Sequence, residues 1–234
     1  MSKLIIFDCD GVLVDSEIIA NRIDAETLTS FGYPISTEES IKKFVGMSAK
    51  AVNELILKES GISLPSDLWT LTEEHILKAF EAELLPLMLP VLENPFLKNV
   101  KKCVASSSTR KWVLRSLQMT KQDHFFQNEH VFTASQVKHG KPAPDVFLFA
   151  AEQMGYSPKD CLVIEDSIVG IEAARAAKMD VIGFLGGRHA QFEWYKERIR
   201  NEQVVVVEHV LDLLSLILDT VETYPVQKEF NVDM

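Results

Sequence analysis

Two pairs of closely spaced carboxylates are the residues of this sequence best suited to chemistry. Asp8 and Asp10, in Phe7-Asp8-Cys9-Asp10-Gly11, follow the apolar run Leu4-Ile5-Ile6-Phe7. If the backbone stays extended past that run, side chains at i and i+2 lie on one side and both carboxylates converge on one ligand. The competing reading is a strand that simply enters an Asp-Gly turn. Glu165 and Asp166 close a second apolar run, Cys161-Leu162-Val163-Ile164. Adjacent acids at the edge of a buried sheet are costly unless a cation or protons neutralise them. Mg²⁺ would do so, taking oxygens from carboxylates, a backbone carbonyl, waters and a substrate phosphate. The same two acids would also suit a helix N-terminus, where they complement the dipole.

Two further segments could serve a phosphate. Val104-Ala105 runs into Ser106-Ser107-Ser108-Thr109, a set of hydroxyls at the start of a helical pattern, where unpaired backbone N–H groups are also available. Plain N-capping accounts for the same residues. Lys141, in Lys141-Pro142-Ala143-Pro144-Asp145, precedes a proline-defined helix start that would hold its ammonium in place; the alternative is an exposed loop lysine. Taken together, an acid pair, a hydroxyl cluster, a lysine and a second acid pair occur in that order, each at a predicted strand end or strand-to-helix loop. Four separate bland explanations would have to coincide.

The elements that must position these groups are legible as a pattern. Short apolar runs at Leu4-Phe7, Cys103-Ala105, Val131-Phe132, Cys161-Ile164, Val181-Phe184 and Val204-Val207 read as strands buried on both faces of a parallel sheet. Helical patterns lie between them, over Arg110-Met119, Asp145-Met154 with a Gly155 stop, and Ser167-Lys178 with a serine cap. This alternation predicts an α/β fold, a doubly wound parallel sheet. Residues 16–86 break it, with helical periodicity and no strand, and predict four helices separated by Gly32-Tyr33-Pro34, Gly46, and Ser60-Gly61 to Pro65. The predicted division is a discontinuous core over 1–15 and 87–222, an inserted helical lobe over 16–86, and a loosely held tail over 223–234. A lobe inserted right after the first strand sits at the carboxyl edge of the sheet, where open α/β sheets bind ligands.

Composition narrows the partners. A formal net charge of −10 disfavours nucleic acid and anionic membranes. The longest apolar runs fall far short of the roughly 20 residues that span a bilayer. With no signal-peptide pattern, a cytoplasmic location is expected. Cys9, Cys103 and Cys161 are odd in number and sit in apolar runs, which suits reduced thiols, and no Cys/His spacing resembles a zinc site. Oligomeric state leaves no mark in the sequence.

Across nearly its whole length the chain resembles the haloacid dehalogenase superfamily, in the branch with a helical cap that includes β-phosphoglucomutase and sugar-phosphate phosphatases. The motifs are Asp8-Cys9-Asp10-Gly11-Val12-Leu13-Val14-Asp15-Ser16-Glu17, then Ser106, then Lys141-Pro142, then Glu165-Asp166-Ser167. The resemblance implies a Rossmann-like core with a movable cap, and Mg²⁺ as cofactor. It implies that Asp8 is a nucleophile forming an aspartyl-phosphate and that Asp10 is the general acid and base. Asp8, the Asp10 carbonyl, Asp166 and, directly or indirectly, Glu165 would hold the metal. Ser106, the Ser107 N–H and Lys141 would steady the phosphoryl oxygens.

Hydrolysis of a small phosphorylated sugar, sugar acid or polyol is the expected reaction. A haloalkanoate dehalogenase needs neither Asp10 nor the second acid pair. A phosphonate hydrolase would need a Schiff-base lysine from among Lys42, Lys43, Lys50 and Lys58, which lie on helix faces. A phosphosugar mutase is the nearer alternative, but its relatives carry a histidine and an arginine where Ala20 and Ala49 stand here. Lys50 replaces that arginine only in part, and Ser48 is either a substrate contact or a helix cap. A phospho-accepting signalling module shares the residue types in another order and lacks the inserted lobe. His189 reads as a loop histidine, and Trp112 and Trp194 as packing residues.

Overall fold

A computed structural model describes residues 3–45, 47 and 49–222. Six strands form one sheet: β1 (Leu4–Phe7), β2 (Lys102–Ser106), β3 (Val131–Thr133), β4 (Cys161–Glu165), β5 (Asp180–Phe184) and β6 (Val205–Val207). All pairings are parallel, in the order β3-β2-β1-β4-β5-β6. Parallel neighbours require crossovers, and the helices α6 (Arg110–Met119), α7 (Asp145–Met154), α8 (Ile168–Ala176), α9 (Glu193–Arg200) and α10 (Val210–Glu222) supply them or flank the sheet.

Alternation along each strand splits the core into two layers. Ile5, Phe7, Val104, Leu162 and Ile164 face Val113 and Leu117 of α6 and Leu213 and Ile217 of α10. Leu4, Ile6, Cys103, Ala105 and Val163 face Val146, Phe147 and Ala150 of α7 and Ala173 and Ala174 of α8. Each fully buried aliphatic or aromatic side chain contributes roughly 1.5–3 kcal/mol, which explains why these strands are apolar throughout. The three cysteines are buried and unpaired, as their apolar context predicts.

Between β1 and β2 run α1 (Glu17–Ser30), α2 (Thr37–Phe44), α3 (Ala49–Ser60), α4 (Leu68–Glu83) and the short α5 (Leu89–Leu92). Leu28, Tyr33, Phe44, Val52, Ile56 and Leu68 give the first four a small core of their own. A Ser36–Glu39 capping box starts α2, and Lys42 and Lys43 complement its last turn. Two of the contacts between the lobe and the sheet layers are aromatic and aliphatic. Phe80 packs on Trp112 with ring centroids 5.0 Å apart, and Ile41 joins Ile171, Leu185 and Ile199. The chain leaves and re-enters the sheet side by side: Val14 bridges Pro86, and the Leu87 N–H donates to the Leu13 carbonyl at 2.9 Å. The returning chain at Pro86-Leu87 thus finds its partners in the outgoing segment at Leu13-Val14. No described helix is long and apolar enough to cross a membrane.

Candidate active site

The sheet places the acids before any side chain chooses a rotamer. Phe7 is in register with Val104 of β2 on one side and Ile164 of β4 on the other, so Asp8, the Ser106 loop and Glu165 emerge together at the carboxyl edge. Chain order reverses across β1, with β2 on one flank and β4 on the other, and open α/β sheets form their ligand crevice at such a point.

Lys141 ties the cluster together. Its ammonium donates to Asp8 Oδ1 at 2.8 Å, to Glu165 Oε1 at 2.6 Å and to the Ala105 carbonyl at 3.1 Å, and its side chain is 3% exposed. The loop-lysine alternative therefore fails. Two carboxylates face the buried ammonium: burial works against the charge of Lys141, and Asp8 and Glu165 outweigh it, raising its pKa. Glu165 Oε2 accepts from the N–H groups of Asp166 and Ser167 and from the Ser167 hydroxyl, each at 2.9 Å. Ser167 also caps α8 through the Gly170 N–H. The capping and chemical readings of this segment are both satisfied, because the helix start is built around the acid.

Asp8, Glu165 and Asp166 can bring three carboxylate oxygens within 4.8 Å of one another, all on buried residues. Burial raises the Asp8 carboxyl well above the ordinary carboxylate range; Lys141 opposes this, and Glu165, Asp166 and Asp10 add to it. Asp166 is raised likewise, by burial and then by Glu165. An all-oxygen set in which burial first, and neighbouring carboxylates next, work against the charges of Asp8 and Asp166 suits a hard divalent cation such as Mg²⁺. Because Glu165 already has a partner on each oxygen, Asp8 and Asp166 keep the freer ligand atoms.

Asp10 lines the same cavity, of about 160 Å³, but its carboxylate is held by other partners. Ser16 Oγ donates to Oδ1 at 2.7 Å, Ser108 Oγ to Oδ2 at 2.6 Å and Trp112 Nε1 to Oδ1 at 3.4 Å. Gly11, at φ +76°, turns the chain right after Asp10, and a Cβ there would lie 2.1 Å from Asp166 Oδ2. Ser106, Ser107 and Ser108 all line the cavity; Ser106 is buried and its hydroxyl accepts from the Ser108 N–H at 3.0 Å.

Of the two remaining candidates, Lys50 does not join this group. Lys50 points to solvent with its side chain 86% exposed, 3.9 Å from Glu54 one helical turn on, so the i, i+4 pairing draws it away from the cavity. Ser48 lies outside the described residues. Several neighbours of the site escape sequence reasoning. His189 is not a loop histidine in solvent: it is 1% exposed, with Nε2 2.8 Å from Asp166 Oδ2, and burial pushes its pKa down. Trp112 packs as expected, yet also reaches Asp10. Glu17 lines the cavity beside Asp10, and its place inside the first motif was the available signal.

A model of the haloacid dehalogenase-like hydrolase family matches residues 5–184. The 6-phosphogluconate phosphatase of Escherichia coli (strain K12) is 29% identical over 196 residues, covering 81% of this chain and 86% of its own. The (DL)-glycerol-3-phosphatase 2 of Arabidopsis thaliana is 32% identical over 189 residues, covering 76% of this chain and 77% of its own. Among solved structures, a conserved haloacid dehalogenase-like protein of unknown function from Agrobacterium tumefaciens superposes with a TM-score of 0.83 at 34% identity, covering 94% of this chain and 99% of the other. With the sheet order, the acid cluster and these likenesses in agreement, the chain belongs to the haloacid dehalogenase-like hydrolase family.

Proposed function

We propose that the protein is a Mg²⁺-dependent phosphatase that hydrolyses a small phosphorylated sugar, sugar acid or polyol through an aspartyl-phosphate on Asp8, with residues 16–86 as its cap. The observation that carries this is the Asp8–Lys141–Glu165 contact set beside Asp166 at the point where strand order reverses. Mg²⁺, held by Asp8, the Asp10 carbonyl, Asp166 and indirectly by Glu165, would offset the repulsion between carboxylate and phosphoryl group.

In the first step an Asp8 oxygen bonds to phosphorus, the ester P–O bond breaks, and Asp10 gives its proton to the leaving alkoxide. In the second, Asp10 takes a proton from water as the water oxygen bonds to phosphorus and the bond to Asp8 breaks, releasing phosphate. Ser16, Ser108 and Trp112 orient Asp10 for both transfers. Ser106, the Ser107 N–H and Lys141 stabilise the equatorial oxygens. Ala20 and Ala49 supply no cation to retain a second phosphate, which favours water over a sugar hydroxyl as acceptor. The names of the relatives cover both an acidic and a neutral leaving group. Buried free thiols suit the reducing cytoplasm, where we place the protein.

The test is phosphate release from a panel of metabolite phosphates with Mg²⁺, with bisphosphosugars added to expose mutase turnover. Asp8→Asn is expected to lower kcat at least about 10³-fold. Turnover that survives the substitution unchanged removes Asp8 from the reaction.

A further inference from the structure

A second cavity, of about 270 Å³, opens between α1, the end of α2, and α3 and α4. It is slightly smaller than the ~300–1,000 Å³ of drug-sized sites. Glu17 and Val45 belong to its wall and to that of the phosphoryl cavity, so the two meet there. The groups suited to phosphoryl oxygens all lie in the first cavity. A group esterified to the phosphate can therefore extend through this junction into the second.

The wall of that second cavity carries two acids, Glu17 and Asp24, one amide, Asn21, and apolar surface from Phe44, Val52 and Trp69. Asn21 is fully engaged: its Nδ2 donates to the Glu17 carbonyl at 2.9 Å and to Glu17 Oε2 at 3.2 Å, and its Oδ1 accepts from Ser40 at 3.2 Å. It therefore fixes Glu17 at the junction. The Trp69 indole N–H donates to Asn53 at 2.8 Å, which pins the ring as a wall for C–H groups. Among the described residues, no Lys, Arg or His lines this cavity. Four cations of the surrounding helices lie away from it. Arg22 pairs with Glu83 at 2.8 Å, Lys43 with Glu59, Lys42 lies over the Trp194 ring at 5.7 Å, and Lys50 is in solvent.

We propose that this cavity is the leaving-group site and that Glu17 and Asp24 select an uncharged, hydroxyl-rich leaving group, a polyol or sugar, over one carrying a carboxylate or a second phosphate. Carboxyl oxygens accept from hydroxyl groups, whereas an anion placed there would meet Asp24 with no positive partner. Burial supports the division of labour: it raises Glu17 to about 8 and Asp24 to about 6. Near neutral pH the first is then largely a donor as well as an acceptor, and the second largely an anion.

This inference rests on the phosphatase reading, and the experiment separates the two. Initial rates with saturating Mg²⁺ are measured on two matched pairs, glycerol 3-phosphate against 3-phosphoglycerate and glucitol 6-phosphate against 6-phosphogluconate, with p-nitrophenyl phosphate as a generic ester. The expected result is a kcat/KM at least about tenfold higher for the neutral member of each pair. In Asp24→Asn the ratio narrows, mainly through a lower KM for the acid. A ratio near one, or one favouring the acid, in either pair overturns the inference, provided that p-nitrophenyl phosphate is hydrolysed by the wild type and not by Asp8→Asn. If no ester is hydrolysed at all, the phosphatase reading falls and this inference with it. The wild-type ratios decide the matter even if the Asp24 variant does not fold.

Discussion

Glu17 sits where the two cavities meet, and burial pushes its carboxyl from the ordinary 4.5 to about 8, with Asp10 adding to the shift, His189 opposing it, and Asp166 and Asp8 adding further. The folded chain therefore keeps this proton between pH 4.5 and about 8, where the unfolded chain releases it. Stability falls as pH rises through that window. Asp24, raised from 3.8 to about 6 by burial, acts in the same direction over a lower range. Glu17→Gln keeps the shape and removes the titration. In metal-free buffer its stability advantage over the wild type is expected to grow by more than about 1 kcal/mol from pH 5 to pH 8, about 2–4 °C in Tm for a chain of this size. Thermal melts at both pH values check this, and an advantage that shrinks with pH contradicts it. Residues of this kind are poorly legible in sequence. The acid pairs were visible because each closes an apolar run, but nothing local distinguishes the buried His189 from a solvent histidine.

The start of α8 shows how an element can serve as part of a site. Ser167 caps the helix, its hydroxyl and N–H also reach Glu165, and Gly170 lies under the Glu165 carboxyl. A Cβ on Gly170 would fall 1.8 Å from Glu165 Cδ and Oε1. The carboxylate cannot move aside cheaply, because Lys141, two backbone N–H groups and a hydroxyl hold it. In an open helix Gly→Ala would stabilise by roughly 0.5–1 kcal/mol; here overpacking reverses the sign. Gly170→Ala is expected to cost about 1–3 kcal/mol in chemical denaturation. It is also expected to weaken Mg²⁺ binding about 10–100-fold by calorimetric titration, since supports of ligand side chains carry effects of that size. A stabilised variant with unchanged Mg²⁺ affinity would show that Glu165 is not braced in this way. The existence of α8 was evident from its serine cap and apolar periodicity. Its intimacy with Glu165 was not, because glycine in a helical pattern has many causes.

For the whole molecule, cation binding at the cluster would share one free energy with folding. Asp8, Glu165 and Asp166 are buried together, with a single ammonium, Lys141, to offset them. A divalent cation that binds the folded chain and not the unfolded one stabilises it by about 2.7 kcal/mol at a hundredfold excess over Kd. Mg²⁺ is therefore expected to raise Tm by several degrees, with no substrate present, and Asp166→Asn to abolish most of the rise. Calcium-free thermal melts across a Mg²⁺ series provide the check. A Tm insensitive to Mg²⁺ in the wild type would mean that Lys141 alone neutralises the site.

Strand runs, helix caps and the break in alternation over residues 16–86 were all readable from the sequence, because each depends on residues within a few positions of one another. The doubly wound sheet followed from their order, and the four motifs fell where that sheet would put a ligand. Distances between remote residues were decided by the tertiary structure alone. Lys141 reaches Asp8 across 133 positions and Trp112 reaches Asp10 across 102, and only strand register and helix packing close such gaps. The same holds for the second cavity: α1 announces Glu17, Asn21 and Asp24 as neighbours on a helix, but their common exposure to one cavity depends on α3 and α4 folding back beside them. Local sequence sets which way a side chain leaves the backbone; burial, partners and charge arise from what the rest of the chain brings to it.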